Sequence, residues 1–227
     1  MNLTLAAATV ITAAVFIGVR RAQGGAVLPD FTDYTSDTFT DYAPDESTDQ
    51  LATPFEEIFV NLNPTTYIPA AVPADVAAQN EKAFLDMLAY AEIGHTGPDG
   101  YRTLFGGKLF NSFADHPRVF TPFTNGRGER LMTSAAGRYQ FLSRTWDALQ
   151  RRLQLPDFGP ESQDRAALEL VRERGALNDV RAGRLQAAVA KVAPIWASMP
   201  GAGYAQPEKK LTTLVAQYQA AGGNLEA

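Results

Sequence analysis

The clearest apolar pattern in the chain lies between Asn80 and Gly94. Its apolar residues recur at spacings of three and four, which is the period of one helix face. They are Phe84, Leu85, Leu88 and Ala91. Asn80 is the predicted N-cap of this helix and Gly94 its predicted end. Glu92 lies on the same face as Leu88, so we expect its carboxyl group to point toward the core in the last turn.

The residues after this helix predict turns and a small β region. Gly106-Gly107 separates two short stretches, Tyr101–Phe105 and Lys108–Phe113, which predicts a β-hairpin. The stretch Asp115-His116-Pro117-Arg118 is expected to leave this hairpin as a turn. The polar, glycine-containing stretch Thr124–Arg130 is expected to form a mobile loop that borders a cleft.

A second group of helices follows the β region. Ser134 is the predicted start of the first, with a buried side made of Tyr139, Leu142, Trp146, Leu149 and Leu153. Further helices are predicted over Ser162–Glu173, over Leu185–Trp196 with a bend or an interruption at Pro194, and from Leu211 to Tyr218. The order of elements predicts an α+β domain, mainly helical with a small β-hairpin region, over residues 80–227.

The front of the chain has a different pattern. Leu3–Val19 is an uncharged run of 17 residues, which is at the short end of what spans a bilayer as a helix. Residues 1–21 are therefore a predicted single-pass transmembrane anchor, with a cleavable signal peptide as the alternative. Arg20 and Arg21 follow the run, and the positive-inside rule would keep the rest of the chain on the inner side.

Residues 22–79 are predicted to be an extended linker that is acidic and rich in Thr and Pro. Residues 1–80 contain two basic and ten acidic side chains, whereas residues 81–227 contain 18 basic and 15 acidic ones. A segment that repels itself cannot form a dense core. Phe31-Thr32-Asp33-Tyr34 recurs as Phe39-Thr40-Asp41-Tyr42. The 31–45 repeat is either a docking strip for a virion or membrane protein or simple low-complexity tether.

Composition excludes several kinds of chemistry. The chain has no cysteine, so disulfides, thiol nucleophiles and thiolate metal sites are ruled out. It has two histidines, and Glu92-x-x-His95 is half of a di-iron helix motif without partner carboxylates. We expect no metal, no cofactor and no nucleic-acid partner.

Glu92 is the candidate for chemistry on residue pattern alone. Partial burial and the negative end of a helix both disfavour a charged carboxylate, so both should raise its pKa. A carboxylic acid that stays protonated near neutral pH can protonate a glycosidic oxygen. The competing interpretation is a surface glutamate whose stem lies over the core.

Six blocks in order carry a resemblance to a known family. They are Ala83–Ala89, Gly106–Phe110, Asp115–Arg118, Ala136–Gln140, Gly175–Leu177 and Ile195–Tyr204. From about residue 81 to residue 223 the chain resembles the endolysin family of phage lambda, a lysozyme-like group of peptidoglycan lytic transglycosylases. The resemblance implies a lysozyme-like fold and a glycan-strand substrate.

The resemblance also implies the role of Glu92. It would protonate the oxygen between N-acetylmuramic acid and N-acetylglucosamine. As a carboxylate it would then deprotonate the muramyl C6 hydroxyl, which closes a 1,6-anhydro ring. No water is consumed, so no second carboxylate is needed. Asp99 and Asp115 are possible electrostatic helpers, although Asp115 also fits a turn cap.

Other residues of the resembling blocks would line the glycan cleft. Gly137-Arg138-Tyr139-Gln140 looks like the wall opposite Glu92, with Tyr139 stacking on a sugar and Gln140 bonding an acetamido group. The alternative for both is an ordinary buried helix start. Tyr101 and Tyr204 would extend the groove. Ser134 would contact the glycan or cap its helix.

One departure from the family pattern stands beside the acid. The family usually has Gly directly after the catalytic Glu, whereas Ile93 intervenes here before Gly94. The leading hypothesis is a phage-type lytic enzyme anchored in a membrane. Action on the wall needs the host inner membrane with the domain in the periplasm, which is opposite to the positive-inside expectation, a segment that can leave the membrane, or a virion membrane. The alternatives are a hydrolytic muramidase on the same fold and an inactive virion structural or glycan-binding protein.

Overall fold

The computed structural model describes residues 72–204 and 206–226. The predicted anchor over 1–21, most of the predicted linker over 22–79 and the 31–45 repeat lie outside the described residues. Within the part that the structure describes, no helix has the length and apolar character needed to cross a membrane.

The described chain contains six α-helices, one 3₁₀-helix and one two-stranded sheet. In chain order they are α1 (Ala74–Ile93), η1 (Pro98–Arg102), β1 (Thr121–Thr124), β2 (Arg130–Thr133), α2 (Ser143–Leu153), α3 (Pro160–Glu173), α4 (Leu177–Ala182), α5 (Leu185–Val192) and α6 (Leu211–Ala220). The architecture is therefore mainly helical with a small sheet, as the sequence pattern predicts.

Helix α1 is the central element of the core. It contacts α3, α4 and α6 and buries a continuous face that includes Phe84, Met87 and Leu88. Gly94 ends the helix with φ 81°, a left-handed conformation that glycine adopts without strain, so the predicted stop is confirmed.

The predicted start of α1 is wrong. The helix begins at Ala74, after Pro73, and Asn80 lies buried inside it. The Asn80 amide donates to the Arg181 carbonyl at 2.9 Å, and its oxygen accepts from the Asn224 backbone N–H at 2.8 Å. These long-range bonds satisfy a polar side chain that would otherwise favour a cap. The ordered domain thus begins before residue 80.

Asn80 belongs to a contact between the N-terminal half of α1 and the C-terminal tail. Asn80 accepts its bond from Asn224, and the amide of the neighbouring Gln79 donates to the Ala221 carbonyl at 2.9 Å. The Glu226 N–H also donates to the Gly183 carbonyl at 3.1 Å. We call the bonds of Gln79 and Asn80 to residues 221 and 224 the terminal clasp.

The β region lies elsewhere than predicted. Strands β1 and β2 pair antiparallel, with Thr121 opposite Thr133 and Thr124 opposite Arg130. The predicted loop over Thr124–Arg130 is the turn of this hairpin together with its flanking strand residues. Asn125 organises the turn, because its side-chain oxygen accepts from the backbone N–H groups of residues 127 and 129 at 2.9 and 3.0 Å.

The predicted hairpin around Gly106-Gly107 is a short chain reversal without regular strands. It has one bridge between Thr103 and Leu109 and backbone bonds from Leu104 to Lys108 and from Phe110 to Arg102. Both glycines have positive φ, 86° and 87°, so they do reverse the chain. The preceding residues form η1 instead of a strand. Leu104 and Phe105 then pair with residues 135 and 136, which are distant in sequence.

The helical lobe follows the prediction more closely. Helix α3 and helix α6 lie where expected, and Trp146 and Trp196 are fully buried core residues, as predicted. Helix α2 begins at Ser143 rather than near Ser134, because residues 134–142 form a turn closed by an Ala136–Phe141 bridge. Helix α5 ends at Val192, so the predicted helix is interrupted before Pro194 rather than bent there.

Candidate active site

Glu92 lies in the last turn of α1 and its side chain is 0 % exposed. Its Oε1 accepts a hydrogen bond from the Ser198 hydroxyl. Its Oε2 is buried without a hydrogen-bond partner among the described residues. Burial raises the pKa of Glu92 to about 8, against the opposing effects of the Ser198 hydrogen bond and the Lys209 charge. The predicted buried, weakly acidic carboxyl group is confirmed.

Ser198 and Lys209 are site residues that the sequence analysis did not identify. Ser198 lies on the segment between α5 and α6, and its carbonyl accepts from the Lys209 N–H at 2.8 Å. The Lys209 ammonium lies 5.4 Å from the ring centre of Tyr90. Tyr90 is two residues before Glu92, in the last turn of α1. Ser198 falls inside the block Ile195–Tyr204, which was the available indication that this segment belongs to the site.

The loop after Ser198 is held by its own hydrogen bonds. The Glu208 carboxylate accepts from the N–H groups of Gly201 and Gly203 at 2.8 and 2.9 Å. The Tyr204 hydroxyl donates to the Pro194 carbonyl at 2.7 Å. Tyr204 is half-buried and lies in the same loop system as Ser198. Its predicted part in the glycan groove stays a prediction.

A buried polar network surrounds Arg138. The guanidinium forms an ion pair with Asp86 and donates to the Tyr101 hydroxyl at 2.9 Å. The hydroxyls of Tyr101 and Tyr139 both donate to Asp164, at 2.9 and 2.5 Å. We call these five residues the Arg138 network.

The charges of this network are mutually compensating. Burial acts to raise the pKa of Asp86, but hydrogen bonds and charges from nearby cations outweigh it and the pKa is lowered. Burial also raises the pKa of Asp164, in spite of the tyrosine hydrogen bonds it accepts. Arg138 additionally donates to the Thr96 carbonyl at 3.2 Å, so the network fixes the segment that follows Glu92.

The predicted cleft wall over Gly137–Gln140 is in the interior. Tyr139 is 0 % exposed, packs edge-on to Phe141 and uses its hydroxyl within the Arg138 network, so it does not present a face to a sugar. Gln140 is equally buried, and its amide donates to the carbonyls of Gly137 and Thr103. The expected sugar contacts of Arg138, Tyr139 and Gln140 are therefore not supported by this geometry. These residues belong to a core turn, not to a helix start.

Tyr101 is half-buried, and its hydroxyl also belongs to the Arg138 network. Its predicted groove contact would have to use the exposed part of the ring. The Arg138 guanidinium lies 4.9 Å from the Tyr101 ring centre, which fixes the ring's orientation.

Asp115 and Ser134 have structural partners. Asp115 accepts from the His116 N–H at 2.7 Å and pairs with Arg118 at 2.5 Å, as a turn cap does. The Ser134 hydroxyl accepts from the N–H of Ser143, the first residue of α2, at 3.0 Å. For both residues the structural alternative fits the contacts. Asp99 is paired with Arg102 at 3.8 Å on the surface.

Ile93 is accommodated as the last residue of α1. Its side chain is buried, and an added Cβ at Gly100 would lie 2.6 Å from its Cδ1. The absence of a side chain at Gly100 thus makes room for Ile93. The extra residue moves the glycine cap one position along and leaves Glu92 within regular helix.

No group of three or more His, Asp or Glu side chains in residues 72–204 and 206–226 could hold a metal ion. A buried carboxyl group with a raised pKa at a helix end, in a mainly helical domain with a two-stranded sheet, is the arrangement expected of a lysozyme-type glycosidase.

Comparison with known proteins supports the same class of enzyme. The family model for Endolysin matches residues 82–225. The endolysin of Escherichia phage lambda is 44 % identical over 149 residues, covering 63 % of this chain and 92 % of that protein. The endolysin of Escherichia phage P2 is 45 % identical over 161 residues, covering 64 % and 94 %. The structure of bacteriophage lambda lysozyme complexed with a chitohexasaccharide matches with a TM-score of 0.59 at 42 % identity, covering 65 % of this chain and 97 % of that chain.

The chain belongs to the endolysin family. It is a phage-type peptidoglycan-degrading enzyme with a lysozyme-like fold.

Proposed function

We propose that this enzyme is a lytic transglycosylase with Glu92 as its general acid and base. Glu92 protonates the glycosidic oxygen between N-acetylmuramic acid and N-acetylglucosamine while the bond from C1 to that oxygen breaks. The muramyl C6 hydroxyl attacks C1 and returns its proton to Glu92. The product ends are 1,6-anhydro-muramic acid, and the enzyme finishes in its starting protonation state.

The observation that carries this proposal is the pKa of Glu92, raised to about 8 by burial. At pH 7 the acid form of such a group predominates before substrate binds. The same pKa makes its carboxylate a strong enough base to take a proton back near neutral pH. A surface glutamate would be ionised at this pH and could not begin the reaction.

The surroundings of Glu92 support a mechanism with one acid. The groups that act on its pKa are a hydroxyl and an ammonium, from Ser198 and Lys209. A retaining glycosidase places a second carboxylate about 5 Å away as nucleophile. Attack by the substrate's own hydroxyl needs no such partner, so these surroundings suit transglycosylation.

A glycan must reach Oε2, which is shielded in this structure. The segment that carries Ser198 contacts the carboxyl group from outside α1. We therefore expect this segment to shift when a glycan strand binds. The lambda lysozyme structure with a chitohexasaccharide supports a sugar polymer as the ligand of this fold.

The reaction is tested by digesting purified sacculi with the full-length enzyme and weighing the released muropeptides. Glu92→Gln removes the proton donor at nearly constant shape. Glu81→Gln, at a half-buried residue paired with Arg181, is the matched control. We expect products one water lighter than reducing muropeptides, with no release by Glu92→Gln. Reducing ends would indicate a hydrolytic muramidase instead. Glycan binding without Glu92-dependent release would indicate an inactive binding protein.

We also propose that residues 1–21 anchor the enzyme in a membrane and that residues 22–79 carry the catalytic domain away from it. The uncharged run from residue 3 to residue 19 supports this. The membrane is the host inner membrane, with the domain in the periplasm, or a virion membrane. Deleting residues 1–21 should move the protein from membrane to soluble fractions and leave sacculus cleavage intact. Unchanged fractionation would refute the anchor.

A further inference from the structure

The Ser198 hydroxyl has a single hydrogen-bond acceptor within the described residues. The side chain is 1 % exposed, and its Oγ donates to Oε1 of Glu92. A buried hydroxyl hydrogen is stabilised by an acceptor, and Oε1 is the acceptor within reach. Ser198 therefore directs its hydrogen to Oε1, which makes Oε1 the accepting oxygen of the neutral carboxyl group.

We infer that Ser198 is a positioning residue that reserves Oε1 of Glu92 as a hydrogen-bond acceptor and leaves Oε2 as the oxygen that gives up and takes back the proton. The inference rests on the proposed role of Glu92 in catalysis. The geometry favours it because Oε2 is buried and has no partner in the described chain. A neutral carboxyl group with an accepting Oε1 carries its hydrogen on Oε2, where no group of the described chain accepts it and it can be given to the oxygen of a bound glycan.

The fold holds Ser198 in place through its backbone and its neighbour. The Ser198 carbonyl accepts from Lys209 at 2.8 Å, and the next N–H, of Met199, donates to the Trp196 carbonyl at 3.0 Å. The Trp196 indole donates to the Tyr139 carbonyl at 3.2 Å and is fully buried. The segment is therefore anchored to the core on both sides of the hydroxyl.

The arrangement has a defined effect on each half of the reaction. When Oε2 releases its hydrogen to the glycosidic oxygen, a carboxylate forms and Ser198 donates to it from Oε1. A hydrogen bond to the charged form is stronger than one to the neutral form. The C6 hydroxyl then returns a proton to Oε2. Ser198 keeps its own hydrogen throughout, so protons balance over the cycle.

Removing the hydroxyl should weaken proton transfer and raise the pKa of Glu92. In Ser198→Ala the carboxylate loses its donor in a dry site, and we expect kcat to fall about ten- to a hundredfold with KM little changed. We expect the titration midpoint of the Glu92 carboxyl group to rise by about one pH unit. The matched control is Ser162→Ala, because Ser162 is another buried serine whose hydroxyl donates to a carboxylate, Asp157, at 3.0 Å.

The experiment combines two readouts on the full-length chain. Carboxyl carbon resonances assigned by comparison with Glu92→Gln follow the Glu92 titration in wild type, Ser198→Ala and Ser162→Ala, and sacculus digestion gives kcat and KM for each. The inference is supported if only Ser198→Ala raises the midpoint and lowers kcat. It is overturned if the Ser198→Ala midpoint stays at the wild-type value or falls. Loss of the proposed function would appear separately, as wild-type release that does not depend on Glu92.

Discussion

Replacing Glu92 by Gln should stabilise the protein at neutral pH, and the gain should vanish in acid. Burial raises the pKa of Glu92 to about 8 in the folded state, from an ordinary value of 4.5 when exposed. The unfolded chain therefore loses this proton at lower pH than the folded chain does. The contribution of the protonated Glu92 to the free energy of unfolding is fully present below about pH 4.5. This contribution is lost as pH rises toward 8. Glutamine has no proton to lose, and its side-chain oxygen can still accept from Ser198.

The size of the effect follows from the two pKa values. One unit corresponds to about 1.4 kcal/mol, so at pH 7 the glutamine variant should be more stable by about 3 kcal/mol. At pH 4 the two proteins should differ by less than about 1 kcal/mol.

Urea unfolding at pH 4, 5.5, 7 and 8 measures this difference, with fluorescence of the buried Trp146 and Trp196 as the probe. Glu81→Gln, which changes a half-buried charge paired with the exposed Arg181, should alter stability by less than about 1 kcal/mol at pH 7. A Glu92→Gln gain that stayed constant across the pH range, or a loss at pH 7, would refute the reasoning. Either result would mean that the Glu92 carboxyl group is not held in a dry site in the folded chain.

Three further predictions concern the surroundings of the site. Arg138→Met removes the buried cation of the Arg138 network and leaves Asp86 with Lys82 as its remaining ion-pair partner, so it should cost about 3 kcal/mol in urea unfolding. Arg118→Met, at an exposed ion pair, should cost under about 1 kcal/mol. Equal losses would contradict this assignment. Gly100→Ala should lower the melting temperature because its Cβ meets Ile93, whereas Gly97→Ala has only an ordinary contact at 3.6 Å and should not. Burial lowers the pKa of His116 to about 4, so its imidazole should stay neutral down to about pH 5 in an NMR titration. The contribution of the neutral His116 to stability should decrease as the pH is lowered from 6.5 to 4. A midpoint near 6.5 would disprove that burial.

The sequence pattern predicted α1 and Glu92 well because both depend on one local period. A carboxyl group on the apolar face of a helix is buried wherever that helix packs, so its raised pKa follows from the same pattern. The start of α1 was predicted wrongly because it depends on contacts with distant residues and not on a local period. Asn80 is a favourable cap by propensity, but the partners that bury it are contributed by residues 181 and 224.

The remaining site could not be predicted because its contacts join distant parts of the chain. Ser198 and Glu92 are separated by 106 positions, and nothing in the local sequence around Ser198 marks a hydroxyl that meets a carboxyl group. Tyr139 has the same difficulty. Its burial is decided by Asp164 and by a turn in which Gln140 has φ 51°, a conformation that helix periodicity does not detect.

The terminal clasp has a mechanical consequence. Tension applied to the chain ahead of Ala74 would enter the domain along α1, and Gln79 and Asn80 are the first side chains of that helix bonded to the C-terminal tail. Asn80 precedes Glu92 by about three helical turns. We therefore expect a pull on the front of the domain to load these bonds before it reaches the end of α1 that carries the acid.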